Sequence, residues 1–291
     1  MKKTIPKVSV IIPSYNHAHY VVHSIESIVN QSYDNIELIV IDDGSSDSSP
    51  KLIKELSVKY NFIFVHRSNR GLSATLNEGL ILSTGDYICI CASDDKFRLD
   101  RISKQVNFMN DNPDIGMSYG KVIVIDEEEK ENALDIKNSK SGWIFDDLII
   151  NRFHIPAVTT MIRRSVFEAV GNFDESLWVE DWDMWLRISY KFKVGFQNEF
   201  LTYYRQHDTN MSSNGLKLYE SKVGALKKWK NLDNYDEIMQ IWRVKWFRSL
   251  SGNYKKEAKK YLSYAYKDFF NINSIIGLIK YYFMKEPNHD K

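Results

Sequence analysis

VSVIIPSYNHAHYVVHSIESIVNQSYDNIELIVIDDGSSDSS, residues 8–49, sets the pattern for the chain. Val8–Ile12 and Ile36–Ile41 are short continuous apolar runs, as strands buried on both faces require. Between them Val21, Val22, Ile25, Ile28 and Val29 recur at helical spacing, and Asn16 stands where an N-cap belongs. Ser48-Ser49-Pro50 opens a second helix carrying Leu52, Ile53 and Leu56; its proline falls in the first turn, where a missing N–H costs no hydrogen bond. Alternation of this kind builds a mostly parallel sheet with helices on both faces, the α/β class.

Working outward, Phe62–Val65 and Tyr87–Cys91 repeat the strand signal and Gly71–Leu82 reads as a third helix. A helix carrying Ile102, Val106 and Met109 follows, then a strand near Met117–Ile125 and a charged stretch, Asp126–Lys137, expected as an exposed hairpin or loop. Arg164–Val170 reads as a short helix closed by Gly171, and Asp181–Lys191 as another with Trp182, Trp185 and Ile188 on one face. From about Lys217 the composition changes to lysine-rich amphipathic helices. The expected organisation is an α/β domain over residues 1–215 and a basic, aromatic-rich helical tail over 216–291.

The bulk composition agrees with a folded protein: 43% hydrophobic, 26% charged and 13% aromatic over 291 residues. The net charge of +1 conceals an asymmetry, because residues 217–291 hold 16 Lys/Arg against 8 Asp/Glu and the remainder is acidic. Cys89 and Cys91 lie two apart in an apolar run, a poor disulfide spacing, so buried thiols in a reducing compartment are expected. The opening MKKTIPK leads straight into a strand rather than a signal-peptide core, and no apolar run reaches the ~18 residues of a membrane span. The expected location is cytoplasmic.

In open α/β sheets ligands bind at the carboxyl ends of the strands. Those ends here are Pro13-Ser14-Tyr15-Asn16, Asp42-Asp43-Gly44-Ser45, Arg67-Ser68-Asn69-Arg70 and Ser93-Asp94-Asp95, and all four are polar. Adjacent carboxylates such as Asp94 and Asp95 repel one another unless a cation or basic group compensates, so they read either as a divalent-metal site or as a helix N-cap. Asp42–Asp47 reads either as a turn rich in capping groups or as a base and ribose site.

VSVIIPSYN (8–16), ELIVIDDGSSDSS (37–49), NRGLSATLNEGL (69–80), GDYICICASDD (85–95), VGNFDESL (170–177) and VEDWDMWLRI (179–188) resemble, in order and spacing, the family-2 inverting glycosyltransferases of bacterial surface-polysaccharide type. The resemblance covers roughly residues 5–210 and implies a GT-A fold, a nucleotide-sugar donor and Mg²⁺ or Mn²⁺ as cofactor. It implies nucleotide or donor contacts at Pro13, Tyr15, Asn16, Asp43, Asn69, Arg70, Asn77 and Asp94, metal ligation by Asp94 and Asp95, and a catalytic base at Asp181. Many relatives read Asp-Ser-Asp-Asp where this chain has Ala92-Ser93-Asp94-Asp95, so a first carboxylate is missing.

Inversion requires a base that removes the acceptor hydroxyl proton as that hydroxyl attacks the anomeric carbon, which suits Asp181; Glu180 and Asp183 are reserves, and both acids of the pair also complement a helix N-terminus. His207 reads as a surface histidine or, by the resemblance, as a phosphate or metal contact. His17, His19 and His23 read as a solvated face. Acceptor specificity is expected in the loops around 138–163, with Trp143, His154 and Thr159.

In the tail, Phe269–Met284 is apolar nearly all round, which suits packing within the protein, a homodimer, or contact with an anionic membrane surface; no nucleic-acid module is present. The expected reaction is sugar transfer to a hydroxyl of a glycan or lipid-linked acceptor. A sugar nucleotidyltransferase and a non-catalytic homologue are the competing readings.

Overall fold

The structure, a computed structural model, describes residues 5–134, 139–207 and 215–284. Residues 135–137 of the charged stretch, residue 138 of the expected specificity region and residues 285–291 of the tail lie outside the described residues. The chain forms two compact units, one of residues 1–176 with 180–208, the other of 177–179 with 209–291.

The first unit opens with β1 (Val8–Ser14), α1 (Val21–Val29), β2 (Ile36–Asp42), α2 (Ser49–Tyr60), β3 (Ile63–His66), α3 (Leu72–Leu82) and β4 (Tyr87–Ile90). It continues with β5 (Lys96–Phe97), α4 (Arg101–Asp111), β6 (Ile115–Ile125), β7 (Glu131–Leu134), α5 (Phe145–Ile149), β8 (Met161–Arg163), α6 (Arg164–Val170), α7 (Glu180–Lys191) and β9 (Lys193–Arg205). These strands form one sheet in the order β3-β2-β1-β4-β8-β6-β9-β5, with β7 paired to β6.

β1 to β4 are mutually parallel, which explains their unbroken apolar runs: each inner strand has a helix layer on both faces. Val8, Val10, Ile12, Leu38, Val40 and Cys89 pack with Val21, Ile25 and Ile28 of α1 and Ile102, Val106 and Met109 of α4. Ile11 points the other way, where a side chain at Gly79 of α3 would collide with it. β3 differs from expectation, being an edge strand whose residues are half-buried or exposed. Cys89 and Cys91 are buried thiols, and burial foremost raises Cys89 to about 11.

β8 runs antiparallel to β4, and β6 antiparallel to β8. Two reversals restore the original direction, and β9 is parallel to β6, so the carboxyl ends of β6 and β9 lie on the same edge of the sheet as those of β1 to β4. That topology gathers the site.

At the opposite edge Glu37 ties three strands. Its carboxylate accepts from Ser9 Oγ (2.5 Å), Thr84 N (2.7 Å), Thr84 Oγ1 (2.7 Å) and Lys7 Nζ (3.0 Å). Burial opposes its ionisation, but these hydrogen bonds prevail and hold Glu37 at about 2.

The second unit contains α8 (Gly215–Lys227), α9 (Tyr235–Leu250), α10 (Lys255–Ala258), α11 (Leu262–Lys267) and α12 (Ile272–Phe283). Its core holds Ile238, Trp242, Trp246, Phe247 and Leu250 of α9. α12 lies against α9 through Gly277 and Leu278, with the rings of Tyr281 and Phe247 5.8 Å apart. Asn271 caps α12 by accepting from Asn273 N at 2.9 Å.

A carboxyl held below its unfolded value stabilises the fold above the unfolded pKa, and the contribution fades as pH falls towards the folded value. Glu37→Gln should therefore lower the unfolding free energy by roughly 2 kcal/mol at pH 7. The gap between variant and parent, followed by urea denaturation, should close as pH falls from about 4.5 towards about 2.

Candidate active site

The acidic pair follows β4 in a tight turn, closed by Asp95 N donating to Ala92 O at 3.1 Å. Neither acid caps a helix: α4 begins at Arg101, after Asp100. The two side chains diverge. Asp95 is 1% exposed and its Oδ1 accepts from Arg205 N at 2.8 Å. Asp94, also buried, meets a different partner, with Oδ2 2.9 Å from His207 Nε2.

Burial foremost, and then the Asp94 carboxylate, push Asp95 well above the usual carboxylate range, while Arg205 and Arg101 oppose the rise. Both arginines are fully buried and escaped the sequence reading. Arg205 Nε donates to Asp94 O (3.0 Å), its Nη1 to Asp126 O (3.0 Å) and Glu127 O (3.2 Å), and its Nη2 to Glu129 Oε1 (2.9 Å). Arg101 donates to Gln105 Oε1 (2.9 Å), Thr202 Oγ1 (2.9 Å) and the carbonyls of Val158 and Thr160, and lies 3.4 Å over the Phe97 ring; burial lowers it to about 10.

His17 corrects one expectation. Instead of belonging to a solvated face, it is half-buried, with Nδ1 2.7 Å from Ser93 Oγ and its ring 5.8 Å from that of His207. Among the described residues His17, Asp94 and His207 bring ligand atoms within 4.8 Å of one another, and Asp95 is not a member of that group. Asp95, expected beside Asp94 as a ligand, stands outside that group, with its Oδ1 taken by the Arg205 N–H. Two imidazoles and a carboxylate suit a divalent transition-metal ion. His19 and His23 are exposed, and His23 Nδ1 is 3.1 Å from Glu129.

The remaining strand ends carry internal ties. Asp43 accepts from Arg67 Nη1, from Arg70 N (2.8 Å) and from Gly71 N (2.9 Å), fixing the entrance to α3. Asp42 accepts from Ser45 N and Oγ and contacts His66 Nδ1 at 2.9 Å. Gly44, at φ +80°, allows Asn69 N to approach so closely that a Cβ would lie 2.7 Å from it.

Asn16 is not the cap of α1, which starts after Tyr20; it has φ +54°, and its Oδ1 accepts from Ser46 N at 2.8 Å. Asn77 is a tie rather than an open donor contact, since its amide exchanges hydrogen bonds with the backbone of Phe173 (3.0 and 2.9 Å) and donates to Glu175 (2.9 Å). Tyr15, Asn69 and Arg70 are exposed and Pro13 is half-buried, at the ends of β1 and β3.

Glu180 and Asp181 open α7. Burial foremost, and then Asp181, raise Glu180 to about 8. Asp181 Oδ1 accepts from Trp182 N at 2.6 Å. Asp183, the other reserve, is buried and pairs with Arg187 Nε at 2.9 Å, a structural role.

Comparison with known proteins identifies the family and the fold. An uncharacterised glycosyltransferase of Rickettsia typhi is 33% identical over 235 residues, 77% of this chain and 72% of that one. Among solved structures, S. aureus TarS 1–349 in complex with UDP-GlcNAc superposes with a TM-score of 0.66 at 18% identity, covering 84% of this chain and 72% of that one. The mannosyltransferase PcManGT of Pyrobaculum calidifontis, in complex with GDP-Man and Mn²⁺, gives 0.63 at 15% identity, covering 98% and 89%. These neighbours share the GT-A fold. Residues 9–171 match glycosyl transferase family 2, and with the Rickettsia relative this shows that the chain is a glycosyltransferase belonging to that family.

Proposed function

We propose that the protein transfers a hexosyl or deoxyhexosyl group, with inversion, from a UDP- or dTDP-sugar to a hydroxyl of a glycan or lipid-linked acceptor in surface-polysaccharide synthesis. The observation that carries this reading is the meeting of Asp94 with His207, 2.9 Å apart, beside the polar ends of β1 to β4. The UDP-GlcNAc and GDP-Man in the structural neighbours support a nucleoside-diphosphate donor.

In this scheme Tyr15, Asn16, Asn69 and Arg70 receive the nucleotide, and Pro13 and the Asp43 loop shape its seat. Asp94 and His207 would hold a divalent cation, which would supply positive charge against the departing diphosphate. The acceptor oxygen bonds to the anomeric carbon as the bond from that carbon to the β-phosphate oxygen breaks. Asp181 takes the hydroxyl proton. Burial foremost, and then Asp181, raise Glu180 to about 8, which disfavours Glu180 as the proton acceptor at neutral pH.

For the second unit we propose contact with an anionic membrane surface, where a lipid-linked acceptor resides. Phe270 (95% exposed), Phe283 (84%), Ile272 (63%) and Phe269 (51%) offer an apolar edge, accompanied by Lys267 and Lys280. No helix among the described residues is long and apolar enough to cross a membrane.

Asp181→Asn should retain nucleotide-sugar binding, followed as a thermal shift with Mn²⁺ present, yet lose turnover by about 10²-fold or more. Glu180→Gln, which mimics the protonated form, should keep activity within several-fold at pH 7; equal damage from both variants would refute the division of roles. Full-length protein should co-sediment at low salt with phosphatidylglycerol vesicles and not with phosphatidylcholine ones, and a Phe270→Glu/Phe283→Glu variant should be released. Protein that stays in the supernatant with both lipids would exclude the membrane role.

A further inference from the structure

We propose that His17 is a direct ligand of the divalent cation, completing with Asp94 and His207 a set of two imidazoles and one carboxylate that favours Mn²⁺ over Mg²⁺. The inference rests on the function proposed above only in placing a cation beside Asp94.

Distance is the first support. Two ligands at right angles on a cation, each ~2.1 Å from it, stand ~3 Å apart, and opposed ligands stand ~4.2 Å apart. Asp94 Oδ2 and His207 Nε2 are 2.9 Å apart, and the His17 ligand atom lies within 4.8 Å of both. A small inward movement of one ring closes the set.

The His17 ring also has a partner of the kind that holds ligand histidines. Its Nδ1 lies 2.7 Å from Ser93 Oγ, and Ser93 is 2% exposed in the same turn as Asp94. With Nδ1–H donated there, the lone pair resides on Nε2, the arrangement in which metal-bound histidines are held by a partner on the other ring nitrogen. The Tyr20 ring stands edge-on at 6.0 Å and stacks on His207 at 5.3 Å, limiting how far either imidazole turns. His17 N donates to Ser49 Oγ at 3.1 Å and Ala18 N to Asp47 Oδ2 at 2.9 Å, so the backbone that carries the ring is tied to the start of α2.

The donor chemistry then sets the metal. Ala92 offers no ligand atom, and Asp95 is turned to Arg205, so one carboxylate remains where Mg²⁺ prefers oxygen donors and water. Mn²⁺ accepts imidazole more readily.

The test uses the full-length protein and Mn²⁺ alone, with bound metal followed by electron paramagnetic resonance and its ligands by pulsed detection of ¹⁴N couplings. The parent should show two imidazole nitrogens and displace Mg²⁺ in competition. His17→Ala and His17→Gln should each bind Mn²⁺ roughly tenfold more weakly or worse and keep one nitrogen coupling. Unchanged affinity with two couplings in both folded variants would overturn the role of His17. Asp94→Asn separates the two claims. Loss of Mn²⁺ there, with both His17 variants unaffected, removes only His17 from the set. Retention in Asp94→Asn as well removes the cation from this site, and the proposed role of Asp94 with it.

Discussion

A buried carboxyl group needs hydrogen-bond partners, and the Arg205 backbone N–H supplies one to Asp95. Asp95 is enclosed at the end of β4 beside a second carboxylate, where charge without a partner is costly by several kcal/mol. Arg205 answers twice, donating its backbone N–H to Asp95 and its guanidinium to the Asp94 carbonyl. The same guanidinium reaches Asp126, Glu127 and Glu129, so the ends of β4, β6 and β9 are fixed together. Glu129 is in turn held at about 2 by Lys96 foremost and by Arg205. His207, two residues beyond Arg205, reaches Asp94 because of that anchorage.

The pair of acids thereby divides its labour. Asp95 faces the protein and orders the turn, while Asp94 faces the imidazoles. A similar division separates Asp42 and Asp43, both committed to hydrogen bonds within the chain, from exposed Tyr15, Asn69 and Arg70. The polar strand ends contain two kinds of residue, those that shape the loops and those left to meet a ligand, and residue type alone does not distinguish them.

The helical unit obeys a different constraint. Gly277 lets α12 lie close to Phe247 of α9, which occupies one side of an almost wholly apolar helix. α11 meets α12 as well, through Tyr266 and Tyr282, yet among the described residues Ile272, Ile279 and Phe283 remain exposed.

The sequence by itself determined the alternation of strands and helices, the GT-A fold, the membership of family 2 and the polar edge at the strand ends, because periodicity and local motifs are properties of neighbours in the chain. Tertiary structure decided the rest. His17 looked like one of three surface histidines until the order of β1 and β4 brought it to Ser93, 76 positions away. Arg205 and Arg101 bear no local mark of burial, since their partners are carbonyls and acids from distant segments. Asn77 lies in a motif suggestive of donor binding, yet its amide is used by Phe173 and Glu175. Whether a polar side chain supports the fold or faces a ligand depends on which remote groups satisfy it, and only the folded chain determines that.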